Sequence, residues 1–373
     1  VAAAILLVGT CLVLANPAVA ATTGEADSEA ADPAKAAVDF LLTRQLPGGG
    51  FGDTVVTAAT VSAIAQQAQT SATWSTKAAI DAVSAAETSA GTTPLNALDA
   101  AAQSDPSPEL AAQIISRAVV AMGLDPENFD PGGDGDPIDL VHIVAAGRRE
   151  DGSYGSLLAT AEAVLALVQV EKPVNAATVG FLEDAQQRNG GWNEDGDSTG
   201  SDVDPTTTGL VSEALVAAGV PAVGDTSVSE ALAFLARNQD AEGGWPAERG
   251  GEVDTVATAW GMGTVRANGY DPAVDCWRDA NPAEGDYVAP ATALTAKQGP
   301  HGAFVGGADP VMATALGVQG LLGRWLPTSR AEVVSCGDGK GGGLPVAPSV
   351  IVLIVVGLVL VVGALRIMRS SGG

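Results

Sequence analysis

The stretch Phe181-Leu-Glu-Asp-Ala-Gln-Gln-Arg-Asn-Gly-Gly-Trp192 reads Phe-Leu-x3-Gln-x3-Gly-x-Trp. The same pattern returns complete at Phe234–Trp245, and at Phe40–Phe51 with Phe in place of Trp. Weaker copies lie at Ile143–Tyr154 and Ala293–Phe304. An internal repeat of this kind decides the architecture before any single residue is weighed. The Phe-Leu pair and the Gln cluster on one side of a helix end. The Gly pair ends that helix, because glycine enters the left-handed region without strain. The aromatic side chain then folds back to seal the turn, and the Gln amide has the donors and acceptor to tie it to a neighbouring turn. The expected repeat residues are therefore Gln45 with Phe51, Gln186 with Trp192, Gln239 with Trp245, and Phe304.

Each clasp is followed by a second helix start: Asp53-Thr-Val-Val-Thr, Asp204-Pro-Thr-Thr-Thr, Asp254-Thr-Val-Ala-Thr and Asp309-Pro-Val-Met-Ala. Asp caps the free N–H groups of a first turn, and Pro suits the position after the cap. Stops recur as Gly123 then Pro126, Gly219 then Pro221, and Gly269 then Pro272. The unit is helix, Gly-aromatic turn, capped helix, stop. The first hairpin starts near Pro33. A second, without a recognisable clasp, takes the broken helix Thr76–Glu87 and Leu95–Gln103 with Pro108–Met122. Ile138–Val170, Asn175–Ala218, Val228–Ala267 and Val288–Leu322 supply four more, six in all. Hairpins stacked side by side must end in caps or close on themselves. The fold class is all-α.

The chain has 373 residues, 46% hydrophobic, with 18 Lys plus Arg against 44 Asp plus Glu and a net charge of −26. Such a surface repels nucleic acid and anionic membranes. The Ala- and Gly-rich bias suits a GC-rich bacterial genome. Residues 1–20 are apolar and end in Ala18-Val19-Ala20, the pattern of a signal peptide. Residues 21–32 are small and acidic, a disordered lead-in. Residues 33–335 hold the repeats, and 336–343 form a Gly-rich linker. Residues 344–365 carry no charge and are long enough to span a bilayer, with Arg366 and Arg369 placing the 366–373 tail in the cytoplasm. The domain is then extracellular on a single-pass anchor. Cys276 and Cys336, the two cysteines beyond the signal peptide, are expected to form one disulfide.

Across roughly Pro33–Leu326 the repeat resembles the squalene/terpene cyclase and protein prenyltransferase superfamily. The resemblance implies an α/α toroid of about six hairpins, with clasp helices outside, capped helices inside and a central cavity at their N-termini. It also brings in non-enzymatic relatives, the cobalamin carriers, whose inner-helix starts are similar to Val253–Ala259.

The resemblance bears on chemistry residue by residue. Terpene cyclases protonate their substrate through Asp-x-Asp-Asp; here Asp202-Val203-Asp204-Pro205 lacks the last carboxylate, and Asp204 would be the acid, assisted by Asp202. Prenyltransferases bind zinc through Asp-x-Cys; here Asp254-Thr255-Val256 lacks the thiolate. No metal is expected, unless calcium at Asp195 and Asp197 in the loop Asn193–Asp204, whose clustered oxygens suit it. Asp53, Asp204, Asp254 and Asp309 are expected to ring the mouth. Small inner-helix residues are expected to leave room at the axis, with Trp260 as an apolar surface. Asp204, Asp254, Thr255, Trp260 and Asp309 are the expected ligand contacts. The sequence thus leans against catalysis. It favours a membrane-anchored extracellular binding domain for a bulky, partly apolar, corrinoid-like ligand or a membrane transport partner. A terpene cyclase using Asp204 is one alternative, a structural cell-surface protein another.

Overall fold

Asp, Ser and Thr side chains start the helices of this chain, and the caps set where each hairpin turns inward. The computed structural model describes residues 24–323, apart from 71–72, 105, 134–135, 200–201, 222–223, 225 and 279–286. The expected signal peptide, linker, anchor and tail lie outside those residues, as do Cys336 and residues 21–23. Among the described residues no helix is long and apolar enough to cross a membrane.

The helices are α1 (Gly24–Leu42), α2 (Thr54–Gln67), α3 (Thr76–Ala85), α4 (Pro94–Ser104), α5 (Pro108–Ile114), α6 (Val120–Met122) and α7 (Leu140–Ala146). There follow α8 (Leu157–Gln169), α9 (Ala176–Asp184), α10 (Pro205–Ala217), α11 (Ser227–Asn238), α12 (Thr255–Ala267), α13 (Pro290–Ala296) and α14 (Pro310–Leu322). A π turn, Ile115–Val119, joins α5 to α6 without a break. Asp53, Asp204, Asp254 and Asp309 each accept a backbone N–H from the first turn of α2, α10, α12 and α14. Ser107 and Ser156 do the same for α5 and α8.

The capped helices form the inner ring. α2 packs on α5 and the π turn, α5 on α8, α8 on α10, α10 on α12, α12 on α14, and α14 back on α2. Inner helices are buried almost all round, as α2 is from Val56 to Gln66. Outer helices bury one stripe; in α11 this is Val228, Ala231, Leu232 and Leu235. Each outer helix lies over the seam between two inner ones, α1 against both α14 and α2. The ring is therefore closed.

The clasps are the seams. Gln186 donates to Gly190 O of its own turn at 2.8 Å and to Ser227 O of the next hairpin at 2.7 Å. Gln45 bridges Gly49 O and Ala86 O, and Gln239 bridges Gly243 O and Val288 O. Gln298 bridges Gly302 O and, 265 residues back, Pro33 O at 2.7 Å, which closes the circle. Trp192 and Trp245 are fully buried, and each indole N–H bonds a carbonyl of its own outer helix, Leu182 or Leu235. The backbone N–H of Phe51, Tyr154, Trp192, Trp245 and Phe304 each meets the hydroxyl of an inner-helix Thr.

One reading of the sequence needs correction. The lead-in is helical from Gly24, because Glu25, Ala26, Glu29, Ala30 and Ala31 favour helix more than their acidity opposes it. The fold is all-α as expected, with one short antiparallel ribbon among the described residues, β1 (Trp245–Pro246) with β2 (Val253–Asp254). The ribbon follows from the aromatic turn, which lays the chain leaving Trp245 beside the chain entering α12.

Trp245→Ala or Trp192→Ala should cost about 3–5 kcal/mol in urea denaturation, through lost burial and a cavity. A melt unchanged in either variant would refute the sealing role. Gly302 and Gly219 both have positive φ, 85° and 93°. A Cβ on Gly302 would stand 2.1 Å from Ala36 O, whereas one on Gly219 meets nothing. Gly219→Ala should therefore cost about 1–2 kcal/mol and Gly302→Ala clearly more. Equal losses would show that close backbone approach at the closing seam is unimportant.

Candidate functional site

The N-termini of the inner helices surround a cavity of about 1580 Å³. Each helix contributes the side of its first turns that faces the axis: Val55 from α2, Gln113 from α5, Leu158 and Glu162 from α8, Leu210 from α10, Trp260 from α12, and Leu316 from α14. The loop before α10, the end of α11 and the turn of Ala247, Glu248 and Arg249 complete the rim.

Of the four capping aspartates, Asp204 lines this cavity; Asp53, Asp254 and Asp309 do not. The expected acidic ring is thus reduced to one member. Asp202 and Asp204 end the long turn from Trp192, which borders the opening, while Asp254 is buried beneath the Gly306-Gly307 turn and Asp53 and Asp309 are exposed away from it. Among the expected ligand contacts, Asp204 and Trp260 line the cavity. Asp254, Thr255 and Asp309 lie outside it, and the Thr255 hydroxyl bonds Val305 O. The small inner-helix residues serve packing instead of opening the axis. A Cβ on Gly261 would stand 2.7 Å from the Trp245 ring, and one on Gly317 2.7 Å from the Phe304 ring.

Asp204 is half-buried and accepts the Thr207 N–H at 2.7 Å. Burial pushes its carboxyl above the usual range, against the lowering effect of hydrogen bonds from Thr207, and the neighbouring Glu194 charge adds to the rise. Asp202 is exposed on the rim. Asp195 and Asp197 also line the rim, but Asp197 Oδ1 is held by the N–H and hydroxyl of Thr199. Among the described residues no group of three or more His, Cys, Asp or Glu side chains could hold a metal ion. His142 and His301 are exposed. Cys276 is disulfide-bonded.

The inner part of the cavity holds what the sequence reading missed. Arg117, on the π turn, forms an ion pair with Glu162 of α8, with side chains 11% and 4% exposed. The second Glu162 oxygen takes the Ser116 hydroxyl at 3.1 Å. The Arg117 guanidinium lies 5.6 Å from the centre of the Trp260 ring, close enough for a cation–π contact. Glu213 of α10, outside the lining itself, is buried within range of Arg117, Glu162 and Arg266. Burial pushes its pKa up to about 8; Arg117 and Arg266 oppose this and Glu162 reinforces it. The available signal was a lone Glu in each of two otherwise uncharged inner helices, Leu157–Gln169 and Pro205–Ala217.

The raised Glu213 pKa makes stability pH-dependent. Between its unfolded value near 4.5 and its folded value of about 8 the native state binds the proton more tightly, so stability falls as pH rises through that window. Above pH 8 this contribution is gone. Glu213→Gln keeps the shape without the ionisation, and should be more stable than the parent at pH 8.5 while nearly matching it at pH 4.5. A parent-minus-variant difference that does not vary with pH in denaturation would contradict a neutral Glu213.

No family model matches the chain, and no curated protein sequence does. Solved structures do. The type II terpene cyclase MstE from Scytonema aligns over 80% of this chain and 98% of its own, at TM-score 0.56 and 17% identity. A variant of that enzyme in complex with its substrate, geranylgeranyl dihydroxybenzoate, aligns over the same shares at TM-score 0.56 and 16% identity. A protein from Actinoplanes aligns over 78% of this chain and 98% of its own, at TM-score 0.53 and 18% identity. The fold is thus a terpene-cyclase-like α/α toroid.

Proposed function

We propose that this protein cyclises an isoprenoid chain by protonating it, with Asp204 as the acid. One observation carries this reading: Asp204 is the capping aspartate that reaches the central cavity, and burial there favours its protonated form. The likeness in fold to type II terpene cyclases supports it.

The chemistry is simple in outline. The Asp204 carboxyl gives its proton to a terminal alkene of the chain. The π electrons form the new C–H bond and leave a tertiary carbocation, which the next alkene attacks to close a ring. Loss of a proton from the last cation to a carboxylate or water balances the sequence. The Thr207 N–H that bonds Asp204 stabilises the carboxylate left behind. Leu158, Leu210, Val256 and Leu316 offer walls without nucleophiles, and the indole of Trp260 offers a π face to positive charge. The apolar runs at residues 1–20 and 344–365 support placing the toroid outside a cell membrane, tethered by its C-terminal end.

A second reading has its own observation. Pro205 occupies the place of the last carboxylate in the cyclase motif, and Asp204 caps its helix as Asp53, Asp254 and Asp309 cap theirs. On that reading the cavity binds a bulky, partly apolar ligand without turning it over.

Asp204→Asn separates the two. Asn caps a helix about as well as Asp, so melting should hardly change. It has no carboxyl proton to give, so cyclisation of squalene or geranylgeraniol, followed by mass spectrometry of extracts, should fall about 10²–10⁴-fold. Full turnover in the variant would exclude Asp204 as the acid. Binding with no turnover in either protein would establish the second reading.

A further inference from the structure

The inner end of the cavity is built unlike its walls. Arg117 and Glu162 project into it from different helices, and both are largely withdrawn from water. Removing an ion pair from solvent costs more than its attraction returns unless further hydrogen bonds complete it. Here they are incomplete. Glu162 is satisfied on both oxygens, by Arg117 and by Ser116. Arg117 is not: Nη2 holds Glu162 and Nε is buried without a partner, on a residue that lines the cavity. Glu213 Oε1, nearby, is also unpartnered. The backbone gives an independent indication. Ser116 and Arg117 sit in the π turn Ile115–Val119, and such turns inside α-helices are often found at functional sites.

From this arrangement we infer that the Arg117–Glu162 pair is a recognition site for an uncharged oxygen, a hydroxyl or carbonyl, at the head of an isoprenoid ligand. The Arg117 fork supplies donors, so the ligand atom must accept. An anionic head fits poorly for two reasons. The Arg117 charge is already matched by Glu162. The rim that the head must pass carries Glu109, Glu194, Asp195, Asp197, Asp202 and Glu248, against Arg237 and Arg249. A diphosphate would be repelled on entry and left without a spare cation at the end. A bare hydrocarbon would leave the Arg117 donor unsatisfied.

Depth then sets direction. Glu213, beside this pair, lies nine residues along α10 from Asp204, which is about 13 Å of helix rise. A ligand anchored at Arg117 by its oxygen would extend its chain toward the rim and bring its far alkene to Asp204. The isoprenoid chain and this direction rest on the cyclase reading; the preference for an uncharged oxygen stands without it.

Binding to the full chain tests the site, with farnesol, farnesyl diphosphate and farnesene as probes, measured by calorimetry. Farnesol should bind about tenfold tighter than farnesene, the worth of one good hydrogen bond, and tighter than the diphosphate. The double variant Arg117→Met, Glu162→Gln removes both charges together, so no lone buried ion is left to unfold it. It should lower farnesol affinity to that of farnesene and leave farnesene unchanged. The unaltered protein decides the matter even if the variant does not fold: tightest binding of the diphosphate or the hydrocarbon overturns the proposal. A folded double variant that keeps the farnesol preference overturns it too. Farnesol preferred but never cyclised by any preparation would remove the cyclase reading and leave this site. A hydrocarbon cyclised through Asp204 with no alcohol preference would do the reverse.

Discussion

Four seams of the ring depend on one side-chain amide placed between two turns. Gln45, Gln186, Gln239 and Gln298 each use a single Nε2 group to bond a glycine carbonyl of their own turn and a carbonyl of another hairpin. Glycine must follow, because the two chains approach too closely for a Cβ. At Gly49, Gly190 and Gly302 that atom would stand 2.2, 2.4 and 2.1 Å from a carbonyl oxygen of the neighbouring hairpin. A ring of repeats has no free edge at which such an error could relax. The Gln298–Pro33 bond joins parts 265 residues apart, so the last seam is the non-local contact that the others prepare.

The clasps were legible because they repeat, and because each residue in them has one evident task. Helix starts at Asp53, Asp204, Asp254 and Asp309 were equally readable, since a cap states its position directly. Ser107 and Ser156 cap the second and third inner helices in the same way but stand out less, as a lone Ser carries less signal than an Asp repeated in register. The sequence marks the second hairpin as a helix broken in two, and the chain does form α3 and α4 there. Its Gly49 neighbour Thr93 identifies α4 as the segment that meets the first clasp.

The interior was much less legible. A repeat specifies how hairpins meet, and says little about what faces the axis, because that surface is where repeats are free to differ. Small residues looked like open space, yet Gly209, Gly261 and Gly317 are small because Trp260, Trp245 and Phe304 press against them. The capping aspartates look equivalent in sequence, yet of the four Asp204 alone lines the cavity. Arg117, Glu162 and Glu213 come from three separate hairpins with no common spacing. Only the ring brings them together.

That convergence has a physical consequence. An apolar centre would have packed at less cost than a buried pair with an unpartnered Nε and a carboxyl that must stay protonated. The clasps lie at the periphery and hold the ring whether or not the centre is satisfied. Stability and recognition are therefore carried by different residues of the same repeat. The outer turn holds Gln, Gly and an aromatic residue almost unchanged from copy to copy, while the inner helix is free to carry Glu162 in one hairpin, Glu213 in the next and Trp260 in the third. A toroid closed in this way can tolerate polar, incompletely satisfied chemistry at its centre, because the hydrogen bonds that close it are made elsewhere.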